Sequence, residues 1–163
     1  LYTDQVNGFC LVSSDSDFTK LAVRLREAGM IVYGLGEKKT PEPFIVACDK
    51  FIYLEILGEE EDTEKSDSKA VKDKGKKKKT FDKVTKRVIK LIENTISDAA
   101  DEDGWAFLGD VGTLLLKKQP NFDPRNFGYQ KLTPLMNSID KFEIEQRSSH
   151  KGRFKLIYVR NKE

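Results

Sequence analysis

The chain has 163 residues, of which 38% are hydrophobic and 34% charged, and its formal net charge is +2. This composition is typical of one folded domain or two small ones, and no apolar run reaches the roughly 18–20 residues that a membrane span needs. Two cysteines and one histidine cannot complete a four-ligand zinc shell. We therefore expect Cys10 and Cys48 to be buried, reduced thiols in a cytoplasmic protein without membrane association.

Strand-like and helical segments alternate over residues 1–57. Residues 9–12, 30–35 and 51–57 are short apolar runs of the kind found in buried strands. Phe18, Leu21 and Leu25 repeat at helical spacing before Gly29, and residues 43–48 suggest a second, short helix. This alternation predicts a parallel sheet with helices on its faces, in a Rossmann-like α/β fragment about half the size of a complete domain.

Residues 58–80 (GEEEDTEKSDSKAVKDKGKKKKT) form a charged segment. Its only apolar side chains are Ala70 and Val71, which cannot bury enough surface to offset the entropy of ordering. We interpret it as a flexible linker. The alternative is that Lys76 to Lys79 contact phosphate groups.

Residues 81–163 predict three helices followed by a hairpin, the order of an α+β winged helix. The helices are expected at residues 81–99, from Leu108 to just before Pro120, and at 128–139. Because Pro134 falls inside the third span, that helix should be kinked or start late. Apolar residues alternate with polar ones from Phe142 and again from Phe154, which predicts the two strands of the hairpin. A brief strand is expected at residues 105–107, and we assign its Trp105 and Phe107, with Phe127, to packing.

The sharpest local motif is SSDSDF, residues 13–18, placed where a strand ends and a helix begins. Ligands of open parallel sheets bind beyond the carboxyl ends of the strands. Asp15 and Asp17 could hold Mg²⁺ or Mn²⁺ there, because these ions prefer oxygen ligands. The alternative is that both carboxylates only cap the helix that follows.

Residues 7–57 resemble the second half of the NYN family, a PIN-like group of ribonucleases, almost throughout the phrase that runs from NGFCLVSSDSDF to ACDKFIYLEIL. The resemblance implies that Asp15 and Asp17 are catalytic and metal-binding and that Asp49 is a further metal ligand. The family's other metal-binding acids should precede residue 1. We therefore expect little or no nuclease activity from these residues alone, and bound Mg²⁺ or Mn²⁺ only when the complete site is assembled.

Residues 82–160 resemble the LOTUS (OST-HTH) domain, a winged-helix module found beside NYN domains. The matching stretches are RVIKLIENTI, the turn from Asp103 to Ala106, LGDVGTLLLKKQPNFDPRNFGYQKLTPLM and the closing FEIEQRSSHKGRFKLIYVR. The resemblance implies RNA binding, with duplex and G-quadruplex forms among the proposed targets. Some animal members bind helicases instead.

Polar and cationic side chains gather at the expected start of the third helix, where a helix N-terminus also favours phosphate. Others follow on the second helix and in the hairpin loop. Lysine and arginine give phosphate affinity that is independent of sequence, and a tyrosine can stack on a base. The candidate RNA-binding residues are Arg125, Asn126, Tyr129, Lys131, Lys117, Lys118, Lys151 and Arg153. The alternative is a solvated surface without a ligand.

The leading hypothesis is therefore a cytoplasmic RNA-binding protein with three parts. Residues 1–57 form a truncated NYN, PIN-like domain, residues 58–80 a linker and residues 81–163 a LOTUS winged helix. The alternative is a protein-interaction module that docks a helicase, or a second copy of itself, through the winged helix.

Overall fold

A computed structural model describes residues 6–59, 81–148 and 155–162. From residue 60 onward the predicted linker lies outside the described residues. None of the described helices has the length and apolar character needed to cross a membrane.

The N-terminal part is an α/β unit around a three-stranded parallel sheet, as predicted. Its strands are β1 (Gly8–Val12), β2 (Ile31–Gly36) and β3 (Lys50–Tyr53), in the spatial order β1-β2-β3. A 3₁₀ turn at Ser16–Phe18 leads into helix α1 (Thr19–Glu27), and α2 (Glu42–Ala47) connects β2 to β3. Gly29 ends α1 with a φ of 80°, as its position predicts.

Both helices lie on one face of this sheet, whereas helices on both faces were expected. Each crossover between parallel strands is right-handed, and the strand order is sequential, so α1 and α2 reach the same side. There they bury a core with Val32 and Phe51 at its centre; its other members are Ala22, Leu25, Phe44, Ile45, Ala47 and Cys48. The opposite face keeps Val12 67% exposed and Ile31 50% exposed.

Two details of this unit differ from the prediction. Strand β3 ends at Tyr53, and residues Leu54–Glu59 continue as a 3₁₀ helix, so residues 54–57 are not part of a strand. Cys10 is exposed because it points to the uncovered face, while Cys48 is buried as expected. A strand residue alternates between faces, and an apolar run does not reveal that only one face is covered.

The C-terminal part is the predicted α+β unit. Helices α3 (Lys86–Ala99) and α4 (Leu108–Lys118) flank the short strand β4 (Ala106–Phe107), and α5 (Leu132–Asn137) precedes the hairpin of β5 (Phe142–Ser148) and β6 (Lys155–Asn161). These strands form an antiparallel sheet in the order β4-β6-β5. The core includes side chains from all three helices and the sheet: Ile92, Ile96, Ala106, Leu108, Val111, Leu115, Phe122, Leu135, Met136, Ile139, Phe142 and Val159.

The third helix is shorter than predicted. Residues Pro124–Phe127 form a 3₁₀ turn that ends at Gly128, whose φ of 85° stops the helix from continuing. Helix α5 then starts at Leu132, which confirms the late start and places Pro134 in the first turn. A proline is tolerated there because the first N–H groups of a helix have no partner within it. Helix α3 likewise starts later than residue 81, at Lys86 after its cap Thr85.

Candidate functional site

Asp15 and Asp17 lie at the carboxyl edge of the parallel sheet, immediately after β1. The Asp15 carboxylate accepts a hydrogen bond from the Asp17 backbone N–H at 3.0 Å, so Asp15 caps the 3₁₀ turn. The Asp15 N–H in turn donates to the Ser13 hydroxyl at 3.1 Å. The capping alternative is therefore realised for Asp15, while both acids remain exposed to solvent.

Two further acids lie at this edge that sequence reasoning did not single out. The Glu37 N–H, just after β2, donates to the Ser14 hydroxyl at 2.9 Å, which ties the ends of β1 and β2 together. The Lys38 N–H donates to the Glu55 carboxylate at 2.9 Å, which ties in the segment after β3. A signal was available for Glu37, which follows a predicted strand at this edge of the sheet. Glu55 gave no such signal, because it lay inside the third strand as predicted, which in the structure ends at Tyr53. We call Asp15, Asp17, Glu37 and Glu55 the acidic edge.

Lysines lie among these acids. Lys39 forms an ion pair with Glu37 at 2.5 Å, and the hydrogen bond and charge of Glu37 raise the pKa of that lysine. Gly34 to Gly36 form the end of β2, and Glu37 to Lys39 follow in the turn after it.

Asp49 lies at the opposite edge of the sheet, so the structure does not bring it to Asp15 and Asp17. It directly precedes β3, where its Oδ2 accepts from the Val32 N–H at 2.8 Å and its Oδ1 pairs with the Arg26 guanidinium at 3.0 Å. Strand register places Asp49 about three residues, or roughly 10 Å, below the end of β1. Its two oxygens hold β2 and α1 instead of lying beside the other two acids.

The residues described contain no group of three or more His, Cys, Asp or Glu side chains arranged to hold a metal ion. Asp15 and Asp17 alone supply two carboxylates, one of which is engaged in a cap. These described side chains therefore do not by themselves fit a bound Mg²⁺ or Mn²⁺.

Of the residues predicted to bind RNA at the start of the third helix, some are engaged within the protein and others are exposed. Arg125 donates to both carboxylate oxygens of Asp123, at 3.0 and 2.8 Å. Asn126 is 5% exposed and its amide donates to the Asn121 carbonyl, so it stabilises the turn and presents almost no surface to a ligand. Tyr129 is partly buried against the core, and Lys131 is exposed.

The buried Asp123 holds this turn together. Burial by itself would raise the pKa of Asp123, but the hydrogen bonds from Arg125 and the charges of Arg125 and Lys50 outweigh it and lower the pKa. Lys50 belongs to β3, so this carboxylate experiences a charge from the N-terminal unit.

The cations at the end of α4 are both exposed. Lys118 forms an ion pair with Asp98 of α3 at 2.5 Å. Lys117 lines a cleft of about 590 Å³ between α4 and the sheet, together with Tyr33 and Lys50. Lys151 and Arg153 lie outside the described residues, so their predicted RNA contacts stay predictions.

Two family models match this chain. The model described as the NYN domain matches residues 1–55, and the model described as the OST-HTH/LOTUS domain matches residues 79–154. The chain carries an NYN segment and an OST-HTH/LOTUS domain. Both resemblances inferred from the sequence are thereby confirmed.

Among solved structures, the chain is similar to an uncharacterized protein from gene locus NE0665 of Nitrosomonas europaea, determined by solution NMR. The identity is 32%, the match covers 62% of this chain and 91% of that chain, and the TM-score is 0.42. No curated protein matches the chain.

The LOTUS domain contacts the NYN segment through the loop after α4. The Phe51 N–H of β3 donates to the Pro120 carbonyl at 2.9 Å, as a neighbouring strand would. The Asn121 amide donates to the Tyr53 hydroxyl at 2.7 Å. A third link joins the acidic edge to the start of the LOTUS domain, since the Lys38 ammonium pairs with Asp82 at 2.9 Å. Sequence reasoning treated the two units as tethered and did not predict this contact.

Of the aromatic residues assigned to packing, one lies against the core and two are more exposed than expected. Phe127 packs against the LOTUS core, as expected. Phe107 is 36% exposed, and Trp105 is only partly buried; both belong to the outer side of the LOTUS sheet. The expectation that Phe107 fills the core is wrong, because β4 contributes only Ala106 to it.

Proposed function

We propose that the chain is an RNA-binding protein in which the LOTUS domain holds RNA beside the acidic edge of the NYN segment. The observation that carries this proposal is the ion pair between Lys38 and Asp82 at 2.9 Å. It joins the edge of the sheet that bears Asp15 and Asp17 to the first described residues of the LOTUS domain. RNA held by that domain therefore lies close to the acids that NYN proteins are expected to use.

Phosphate contacts are the part of RNA recognition that the exposed cations support. Lys117 and Lys131 are both exposed, and neither is engaged in an ion pair within the described residues. Lys118 and Arg125 are paired with Asp98 and Asp123, so phosphate must compete with these carboxylates. An exposed pair is worth roughly 0.2–1 kcal/mol, and phosphate can therefore displace Asp98 from Lys118 more easily than the buried Asp123 from Arg125.

We propose Asp15 and Asp17 as the catalytic and metal-binding acids of a site that other carboxylates must complete. Mg²⁺ or Mn²⁺ in such a site would supply a hydroxide nucleophile and stabilise the charge of the phosphoryl group. Within this chain, the exposed acids would orient ion and water, and Ser14 would hold their loop against β2. The 163 residues alone should bind RNA without cutting it.

Titration of fluorescently labelled single-stranded RNA at two salt concentrations tests the binding. Affinity should fall steeply with salt, and Lys117→Gln or Lys131→Gln should each reduce the slope of log K against log salt by about one. Lys90→Gln, an exposed lysine of α3, is the charge-matched control. Absence of binding at low salt would reject the proposal and favour the alternative, a module that docks a helicase or a second copy of the chain.

Nuclease activity is tested in a separate cleavage assay. The chain is incubated with single-stranded RNA and Mg²⁺ or Mn²⁺, and we expect no product above the metal-free control. Robust cleavage that Asp17→Asn abolishes would show that the chain is an active enzyme without further acids.

A further inference from the structure

The outer face of the LOTUS sheet carries a cluster of aromatic and arginine side chains. The inner face packs Ile144 and Val159 on the helices, and residues alternate along each strand. Arg147 and Tyr158 consequently point outward, and Phe107 pairs with Tyr158 across β4 and β6. We call Trp105, Phe107, Arg147, Tyr158 and Arg160 the aromatic–arginine face.

The two guanidinium groups lie over aromatic rings. Arg147 is 4.5 Å from the centre of the Tyr158 ring and 5.0 Å from that of Trp105. Arg160 lies 4.7 Å from the centre of the Trp105 ring. The Phe107 and Tyr158 rings are 5.8 Å apart. Planar cations and rings of this kind provide the flat surfaces on which a nucleobase can stack.

The charge of this face is balanced within the sheet. Arg147 pairs with Glu145 at 3.0 Å and Arg160 with Glu143 at 2.6 Å. All four side chains are between 35% and 48% exposed, so these are surface pairs that contribute little and that a phosphate can displace. A ligand attracted to this face is therefore held by stacking more than by net charge.

We propose that the aromatic–arginine face binds unpaired bases of single-stranded RNA, an inference that rests on the proposed RNA-binding function and assigns it a second surface. Bases within a duplex are stacked on one another and expose only their edges, so a flat aromatic surface selects bases that are splayed out. Arginine can bind both the base and the phosphate of a nucleotide, because its plane stacks on a base and its N–H groups bind phosphate. A cavity of about 400 Å³ lies beside Arg160, and Lys162 lines it together with the acids Asp103 and Glu143.

Trp105 is the only tryptophan of the chain, so emission excited at wavelengths that tryptophan but not tyrosine absorbs reports on this face. The complete chain is titrated with a labelled oligouridylate, following RNA anisotropy for binding and Trp105 emission for stacking. We expect the oligouridylate to quench Trp105 with the same midpoint as the anisotropy change. A blunt duplex of equal length should quench it much less.

Substitutions at the two exposed arginines test the assignment with little risk to the fold. The double variant Arg147→Gln/Arg160→Gln should weaken oligouridylate binding about tenfold, since the loss of one stacked base corresponds to roughly 5- to 150-fold in affinity. Arg147→Lys/Arg160→Lys keeps the charge but loses the planar surface, and should recover only part of the loss. Lys90→Gln is again the control and should change nothing.

The outcomes separate the two proposals. RNA binding without quenching of Trp105, and unaffected by the arginine variants, overturns the aromatic–arginine face and leaves the proposed function standing. Full recovery by the lysine variants also overturns the stacking role, because charge alone would then explain the binding. No anisotropy change with any RNA at low salt overturns both.

Discussion

The phenolic oxygen of Tyr53 in β3 accepts a hydrogen bond from the Asn121 amide of the LOTUS domain at 2.7 Å. Tyr53→Phe removes only the hydroxyl and leaves the ring packed edge-on against Phe51, 5.6 Å away. We expect Tyr53→Phe and Asn121→Ala each to lower the free energy of unfolding by about 1 kcal/mol, because each removes one bond between the two units. The double variant should lose less than the sum, with a coupling of about 0.5–1.5 kcal/mol.

Urea unfolding of the four proteins measures this coupling. Tyr158→Phe is the matched control, since it removes a hydroxyl from the outer side of the LOTUS sheet, and it should add to Asn121→Ala without coupling. A coupling of zero for the pair of Tyr53 and Asn121 would mean that the two units are not docked in solution.

Asp123→Asn should destabilise the LOTUS domain in a pH-dependent way. The pKa of Asp123 is lowered in the folded state, so its ionised form stabilises the fold above the unfolded pKa of about 4, and this stability is lost as the pH falls through the folded pKa. At pH 7 the substitution should cost about 1–2 kcal/mol, since Arg125 loses its charged partner. The difference between the two proteins should shrink below pH 4.

Thermal unfolding between pH 7 and pH 3 follows this difference. Asp110→Asn, an exposed acid in the first turn of α4, is the control and should have only a small effect. A cost of Asp123→Asn that is the same at pH 3 as at pH 7 would contradict the role of the ion pair.

Gly36→Ala should destabilise the acidic edge. A Cβ at Gly36 would clash with the Ser13 carbonyl oxygen and lie 2.6 Å from the Thr40 hydroxyl, so the ends of β1 and β2 would have to separate. We expect a loss of about 1–3 kcal/mol in the free energy of unfolding. Gly112→Ala in α4 is the opposite case: its Cβ would meet only Leu132, at 3.5 Å, and the helix should gain up to about 1 kcal/mol. Chemical denaturation measures the free energy of unfolding of both variants. A Gly36→Ala protein as stable as the original would mean that the ends of β1 and β2 are less closely packed than the structure shows.

The two thiols should differ sharply in reactivity. Burial, followed by the charge of Asp49, raises the pKa of Cys48 to about 11, and its thiol donates to the Phe44 carbonyl. Because the thiolate is the reactive form, iodoacetamide at pH 8 should modify the exposed Cys10 quickly and Cys48 only after unfolding. Mass spectrometry over time separates the two sites. Equal rates in the native protein would show that the core around Cys48 opens readily.

The order of elements was predictable because it depends on local patterns. Apolar runs placed β1 and β2, and the helical spacing of Phe18, Leu21 and Leu25 placed α1, of which Leu25 is buried against the sheet. Gly29 and Pro134 fixed helix boundaries through the backbone conformations they allow or forbid. The acidic motif was found at the correct edge for the same reason, since it directly follows a strand.

What the sequence did not reveal depends on contacts between distant residues. Asp49 looked like a metal ligand, but its partners Val32 and Arg26 come from elements far along the chain. One miss was local: Arg125 looked available to RNA, although Asp123, two residues before it, accepts hydrogen bonds from its guanidinium. The partial exposure of Trp105 was not predictable either, because it depends on the pairing of Ala106 with Val159, which is far along the chain.

The two edge strands of the parallel sheet, β1 and β3, differ in how their outer backbone groups are hydrogen-bonded. On the β3 side, the Pro120 carbonyl already occupies the Phe51 N–H. On the β1 side, no described strand pairs with the outer edge of Gly8–Val12. Among the described residues, the outer backbone groups of β1 can therefore act as a template for one more strand, whereas a polypeptide that approached β3 would meet an N–H group that is already bonded. Addition of a strand is thus favoured beside β1.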